Sequence, residues 1–407
     1  AFKRTKTENG FQRLPDRAII VPDGILANIN LQYVREWIFK QARVFAIVSL
    51  PRETFKYIGT TAKTSIIFMQ KFNEEQTFES TKNLSIFMAS ADYVGIDHEE
   101  KNDLPEILKG FKKFCQDERL EEGHSSPMLT SATGEDVLKV HRLDPEFWDP
   151  KYKKLIKVMK KNWKTKELGK FETVQIIPSD HVRKSRGEHE GSKYSINYFT
   201  PAGFLETGYD TANIPKCSKN AYERMKRTQV MKDDILLGGF GMGPTGRSLL
   251  IHFEPKKSIV GNIFIIRSSN PLPHFLVIFL ESRYGISQLE RMKAGVAFYS
   301  LSSEEIKALR IPLFNLELQR RIKIKYKNML KWHDSAMKTK KKLIEGGLSN
   351  KEAEENTKYR RNIQKGVKHR SRIASRERCS HPVLHLVARY YRMKINFPIF
   401  FPQDDLR

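Results

Sequence analysis

Three things are scarce in this chain, and each scarcity closes off a class of protein. Cysteine is the first: among 407 residues only Cys115, Cys217 and Cys379 occur, with no CxxC pair. Thiols so scattered encode neither a disulfide framework nor a zinc ribbon, and we read them as reduced. Long apolar runs are the second. A membrane-crossing helix needs roughly 18 consecutive apolar residues, and the densest run here, Phe275–Leu280, falls far short. The opening residues also lack the pattern of a secretory leader, so a cytoplasmic location and no membrane partner are expected. Acidic side chains are the third, with 47 Asp and Glu against 72 Lys and Arg.

What remains is a strongly basic chain, with a net charge of +25 and a pI near 9.8. Cations in that excess call for a polyanion, and the commonest is nucleic acid; double-stranded DNA is the expected partner. No metal site is expected. The stretch Cys379-Ser-His381-Pro-Val-Leu-His385 spaces two imidazoles four apart, but a proline interrupts the pair and a fourth ligand is lacking.

Along the chain the pattern alternates. Apolar, β-branched runs at 18–22, 44–50 and 64–69 predict strands, and 31–41 predicts a helix between the first two, which together argue an α/β sheet. The start at Ala1, without a methionine, reads as a fragment boundary. A second α/β or helical satellite region is expected through 104–114, and 124–135, rich in Ser, Thr, Gly and Pro, reads as a connector. From 174 to about 312 short strands are expected at 175–178, 194–199, 234–237, 248–253 and 262–267, with helices near 272–285 and 303–309. A long helix follows, with Leu316, Ile322, Ile324, Tyr326, Leu330 and Trp332 as its apolar stripe. Beyond it, 338–378 is dominated by Lys and Arg, a composition that stays solvated unless it meets phosphate.

Residues 18–69, AIIVPDGILANINLQYVREWIFKQARVFAIVSLPRETFKYIGTTAKTSIIFM, resemble the C-terminal motifs of the catalytic domain in adenine-specific DNA methyltransferases of the type I restriction-modification class. Ala91–Asp97 and Asn102–Pro105 resemble the segments that follow, and His141–Tyr152 resembles the junction to a target-recognition domain. Asp233–Gly239, Gly243–Arg247, Phe279–Gly285, Gly295, Leu301-Ser and Ile311–Leu313 then resemble, in order, the type I specificity subunit, and Leu318–Ile322 the start of its spacer helix. The resemblance implies the C-terminal part of a Rossmann-like methyltransferase sheet over 1–123 and a junction over 124–173. It further implies an α+β, β-rich target-recognition domain over 174–314, a spacer helix over 315–345 and a basic C-terminal segment over 346–407. By the same resemblance the helix carrying Arg35 and Trp37 packs on the sheet, and Phe55 stands where the family stacks an aromatic on the flipped adenine.

That role suits the chemistry, because an aromatic face restores part of the stacking lost when a base leaves the duplex. An ordinary core aromatic is the competing reading of Phe55. For DNA contact the candidates are Arg186, Lys193, Arg224, Lys226, Arg227, Arg247, Arg291 and Lys293, around a glycine-rich hairpin at 238–246. Gly241-Met-Gly243-Pro-Thr-Gly246 fits GxGxxG, but a strand-like run follows it where a cofactor loop opens a helix. The Asp/Asn-Pro-Pro-Tyr/Phe motif that accepts the target amino group is also lacking: no Pro-Pro dipeptide occurs, and Asp149-Pro-Lys-Tyr152 sits at the junction.

Three functions fit these residues. The first is DNA recognition within a restriction-modification adenine methyltransferase. The intact parent would use S-adenosylmethionine, while this chain alone, lacking cofactor and catalytic motifs, is expected to bind DNA, hold no cofactor and transfer no methyl group. The second is a stand-alone specificity subunit that docks a separate methylase or nuclease, so methylase or restriction subunits are further partners. The third, a nuclease, requires a Pro-Asp…Asp/Glu-x-Lys cluster, and no convincing one is present.

Overall fold

A computed structural model of the chain describes residues 17–73, 76–96, 100–116, 127–205, 208–210, 213–241, 246–292 and 299–344. These fall into two compact units. One takes residues up to Arg267 together with Arg283–Leu313, and the other takes Ser268–Ser282 with the chain from Phe314 onward.

The first unit begins with a mixed sheet of five strands: β1 (Arg17–Pro22), β2 (Ala42–Ser49), β3 (Thr64–Lys71), β4 (Ser85–Ser90) and β5 (Met128–Thr133), in the order β1-β3-β2-β4-β5. Only β2 and β4 run parallel; the other neighbours are antiparallel. The three strands and the helix expected up to residue 69 are all present, the helix spanning Gln32–Gln41. Met128–Thr133, expected as connector, is instead the fifth strand: Met128, Thr130 and Ala132 are buried and alternate with half-buried Leu129, Ser131 and Thr133, Leu129 packing on the other face.

Alternation places side chains on two faces. Val44, Ile47, Ile67, Ile86 and Met88 pack on one face with Ile38 and Phe39 of the helix. Ala46, Val48, Phe87 and Ala89 form the other face, with Ile107 of the helix Leu104–Cys115. The expected helix residues part company here. Arg35 is buried and fastens the helix to the preceding turn, its Nη1 donating to Ile25 O at 2.8 Å and Asn28 O at 2.9 Å. The helix packs on the sheet through Ile38 and Phe39, which occupy the inward arc, and leaves Trp37 61% exposed.

Strand β1 lies at one edge of the sheet, opposite β5, and its burial is unusual for its composition. Ile19 and Ile20, which alternate between the two faces, are 47% and 53% exposed.

The β-rich part of the same unit carries a four-stranded sheet, Ser248–Leu250, Ile235–Gly238, Ile263–Ser268 and Val174–Ile177 in that order, and a three-stranded sheet of Lys216–Cys217, Ile196–Phe199 and Ser258–Val260. Ile235–Gly238 and Ser248–Leu250 are antiparallel partners, so the glycine-rich stretch lies within a hairpin and not at a helix start; its residues 242–245 lie outside the described ones. Close packing fixes one glycine here: a Cβ on Gly261 would run into the hydroxyl oxygen of buried Tyr198.

Two elements tie the sheet to this part. The helix Pro150–Asn162, capped by Asp149, whose side chain accepts from Lys151 N at 2.8 Å, leads into Trp163, which meets Tyr284 edge-on at 5.2 Å. The strand Thr165–Glu167 then pairs with Arg310–Pro312.

In the second unit, every residue of the helix Pro273–Leu280 is buried. Its N-terminal turn is held by Leu272 N donating to Gln319 Oε1 at 2.7 Å, and His274 meets Tyr326 edge-on at 5.6 Å. Gln319, Ile322 and Tyr326 therefore form the covered arc of the long helix Leu316–Ile344. Leu316 and Ile324, expected in the stripe, are exposed. Ile324 is two residues from Ile322, a rotation of about 200° that carries it to the opposite side. Leu330 is half-buried, and the side chain of Trp332 is not among those described.

Candidate functional site

The loop that carries Phe55 leaves the end of β2 and returns into β3. Leu50-Pro51 ends the strand, the short 3-10 stretch Arg52–Ile58 follows, and Gly59, at φ +88°, turns the chain back. A left-handed residue is where glycine is least strained. Thr54 caps the turn through its hydroxyl, which donates to Pro51 O at 2.8 Å.

Phe55 is half-buried and packs against the cluster of Ala46, Val48, Leu50, Phe87 and Ala89. Part of its ring therefore serves the core. Tyr57, two residues on, is 70% exposed. Resemblance and periodicity do not single it out, though an aromatic flanked by Lys56 and an exposed Ile58 at a loop tip is a signal of its own.

Both ends of this loop meet one carboxylate. Ser49, the last residue of β2, donates to Glu146 Oε1 at 2.5 Å; Lys63, the residue before β3, donates to the same oxygen; and Ser90, ending the parallel strand β4, donates at 2.9 Å. Alongside, Lys63 Nζ lies 3.5 Å from Asp23 Oδ2, and Ser65 donates to Asp23 Oδ1 at 2.7 Å. Burial works against charge on all three ionisable groups. For Glu146 the neighbouring Lys63 and the Ser49 hydroxyl outweigh it and hold the carboxyl below its usual range. For Lys63 the two carboxylates outweigh it and raise the ammonium. For Asp23 burial prevails over Lys63, and its carboxyl is pushed up to about 6.

The segment bearing Glu146 is held on its other side by the β-rich part. Arg142 is buried and grips Asp144 through Nε and Nη2 at 2.7 and 2.8 Å, while its Nη1 reaches Glu305 Oε1 and Met292 O, both at 3.0 Å. Arg291 lies 4.0 Å over the ring of Phe147 and donates to Phe147 O at 2.9 Å. Arg291 is thus turned into the protein, and burial with the nearby Arg142 cation pushes its guanidinium down to about 10.

The remaining basic candidates are spread unevenly. The turn bearing Arg186 is fastened to the helix Lys219–Arg224, since Arg224 pairs with buried Glu188 and Asn220 Nδ2 donates to Gly187 O at 3.4 Å. Lys226 and Arg227 follow that helix directly, so Arg186, Arg224, Lys226 and Arg227 share one neighbourhood. Arg186, Lys226 and Arg227 are exposed, whereas Arg224 spends its charge on Glu188 and Asp180. Arg227 also lines, with Gln175, Ile176, Ile177 and Arg267, a cleft of about 410 Å³. Lys193 is exposed beside Tyr194, and Arg247 is half-buried. Lys293, Gly295 and the Cys379–His385 stretch lie outside the described residues. Among the described residues no group of His, Cys, Asp and Glu is arranged to hold a metal, and no helix is long and apolar enough to cross a membrane.

Comparison with known proteins adds a family to this geometry. Residues 14–137 match the family of N-6 DNA methylases, a span that holds the whole five-stranded sheet and the Phe55 loop. No curated protein matches the chain by sequence. Among solved structures, the type IIG restriction endonuclease BpuSI is similar at 11% identity, with 76% of this chain and 42% of that one covered and a TM-score of 0.32. The S subunit of a type I restriction-modification system from M. genitalium is similar at 15% identity over 45% of this chain and 42% of that one, with a TM-score of 0.31. The HsdS subunit from Thermoanaerobacter tengcongensis is similar at 14% identity over 84% and 94%, with a TM-score of 0.30. The chain thus spans less than half the length of the first two.

Proposed function

We propose that this chain, an N-6 DNA methylase family member over residues 14–137, is the DNA-recognising part of a restriction-modification adenine methyltransferase. The family match carries the reading. In it the five-stranded sheet is the C-terminal part of a Rossmann-like catalytic domain, the β-rich part over 174–314 reads the target, and the long helix acts as the spacer. The net charge of +25 and the exposed cations Arg186, Lys193, Lys226 and Arg227 support a DNA-facing role for the β-rich part. Arg224 and Arg291, already paired within the protein, act there as struts.

The intact enzyme would move a methyl group from S-adenosylmethionine to the exocyclic amino group of adenine. This chain supplies the aromatic side of the base pocket, Phe55 from the core side and Tyr57 from the open side of the loop, since an extrahelical base is stabilised by stacking. Cofactor and amino-acceptor motifs come from an upstream catalytic segment, on the same or another polypeptide.

The test is a mobility-shift titration on double-stranded DNA across a salt series, with a parallel assay of labelled methyl transfer from S-adenosylmethionine. Binding that weakens steeply with salt, without transfer until the upstream segment is added, is the expected result. Transfer by the chain alone, or no binding at any salt, overturns the reading.

A further inference from the structure

The Glu146 carboxylate occupies a position that neither its sequence context nor the family match assigns. The two ends of the Phe55 loop, Ser49 and Lys63, converge on one oxygen of this side chain. Backbone pairing closes the same neck, Leu50 N donating to Thr64 O at 2.9 Å, and Ser90 brings in the neighbouring parallel strand. One residue further along, Phe147 lies under the Arg291 guanidinium and its carbonyl accepts from it; four residues back, Arg142 holds Glu305 and Met292 O. A segment of few residues is therefore bonded to the loop on one side and to the β-rich part on the other.

We propose that Glu146 is a positioning residue that staples the neck of the Phe55 loop and, through the Arg142 and Arg291 bonds of its own segment, sets that loop's place relative to the β-rich part. The inference deepens the proposed function, on which the loop's role beside a target base rests; the staple itself rests on geometry alone. Its consequence is mechanical. A base pocket built partly on a loop needs the loop held in register with whatever grips the DNA, and a misplacement of about 1 Å is enough to impair chemistry. A charged, multiply bonded acceptor holds such a register better than apolar contact, because its hydrogen bonds are directional and each is stronger than a neutral one.

Hydrogen exchange on the full chain tests this without DNA. In Glu146→Ala, amides of residues 50–63 should exchange about tenfold faster or more, the equivalent of removing one charged hydrogen bond, while those of 235–238 and 263–268 keep their rates. Glu146→Gln, which keeps an oxygen for Ser49 and Ser90, should restore part of the protection. Arg291→Ala, which leaves every hydrogen bond of the loop in place, should also raise exchange over 50–63, and the double variant should add nothing to Glu146→Ala. Unchanged exchange over 50–63 in Glu146→Ala, equal acceleration throughout the chain, or additive effects in the double variant would each overturn the proposal. Failure of the wild-type chain to bind DNA would overturn the proposed function and leave these exchange outcomes decisive for the staple.

Discussion

At the scale of single residues, Asp23 carries the clearest consequence. Its buried carboxyl has a pKa raised from 3.8 to about 6, with burial as the main cause and the Lys63 cation opposing it. Between pH 4 and 6 the folded chain therefore holds a proton that the unfolded chain has released. Stability from this group is greatest at the acid end, falls as pH rises through the window and levels off above it. A difference of this size corresponds to about 3 kcal/mol. Asp23→Asn, which keeps an acceptor for Ser65 but cannot ionise, should gain on the wild type by up to that amount as pH goes from 4 to 7. Urea midpoints for both proteins at several pH values check it, and parallel curves would show that Asp23 ionises normally in the folded chain. Tyr57 makes the complementary point at this scale. Exposure singles it out, and an aromatic on a loop between Lys56 and Ile58 gives no periodic signal to notice.

Elements follow from sequence to the extent that their signal is local. Strands β1, β2 and β3 and the helix Gln32–Gln41 are readable because β-branched runs and helical spacing sit within each segment. β5 is not, because Met128–Thr133 is mostly small and polar, and its strand character comes from pairing with β4. The staple is equally hidden. Ser49, Lys63 and Glu146 are far apart in sequence and come together only when β2, β3 and the junction fold side by side. The role proposed for Phe55 rests on family resemblance, and the inward turn of Arg291 is hidden altogether, since a guanidinium over Phe147 leaves no mark on the sequence around it. Packing between elements also sets a limit at Gly261, where a side chain would collide with the ring of Tyr198, itself fixed by Val182 N donating to its hydroxyl oxygen at 3.2 Å. Gly261→Ala should destabilise the β-rich part by about 1–3 kcal/mol. Chemical denaturation followed by near-ultraviolet circular dichroism reads this directly; an unchanged midpoint would mean that the Tyr198 ring yields freely.

For the whole molecule, charge is the dominant property. If the neighbourhood of Arg186, Lys226 and Arg227 meets the DNA backbone, replacing Lys226 and Arg227 together by Ala should weaken binding on every sequence alike. It should also lower the slope of log affinity against log salt by about 2, close to one for each phosphate no longer neutralised. An unaltered slope in a fluorescence-anisotropy salt series would place the DNA elsewhere on the chain. The outer edge of β1 carries a different consequence. Among the described residues no strand lies beside it, and Ile19 and Ile20 are about half exposed on its two faces, so between Arg17 and Pro22 a short row of backbone donors and acceptors is offered with only those two residues to blunt it. A polypeptide in this condition recruits whatever extended segment is most abundant, and in a concentrated preparation that is another copy of itself. Light scattering of the chain should therefore rise with concentration and fall when Ile20 is replaced by Lys, and remain concentration-dependent in that variant only if association runs through another surface. Solubility thus becomes a report on the open edge: a chain that disperses when Ile20 is charged is one whose self-association runs through β1.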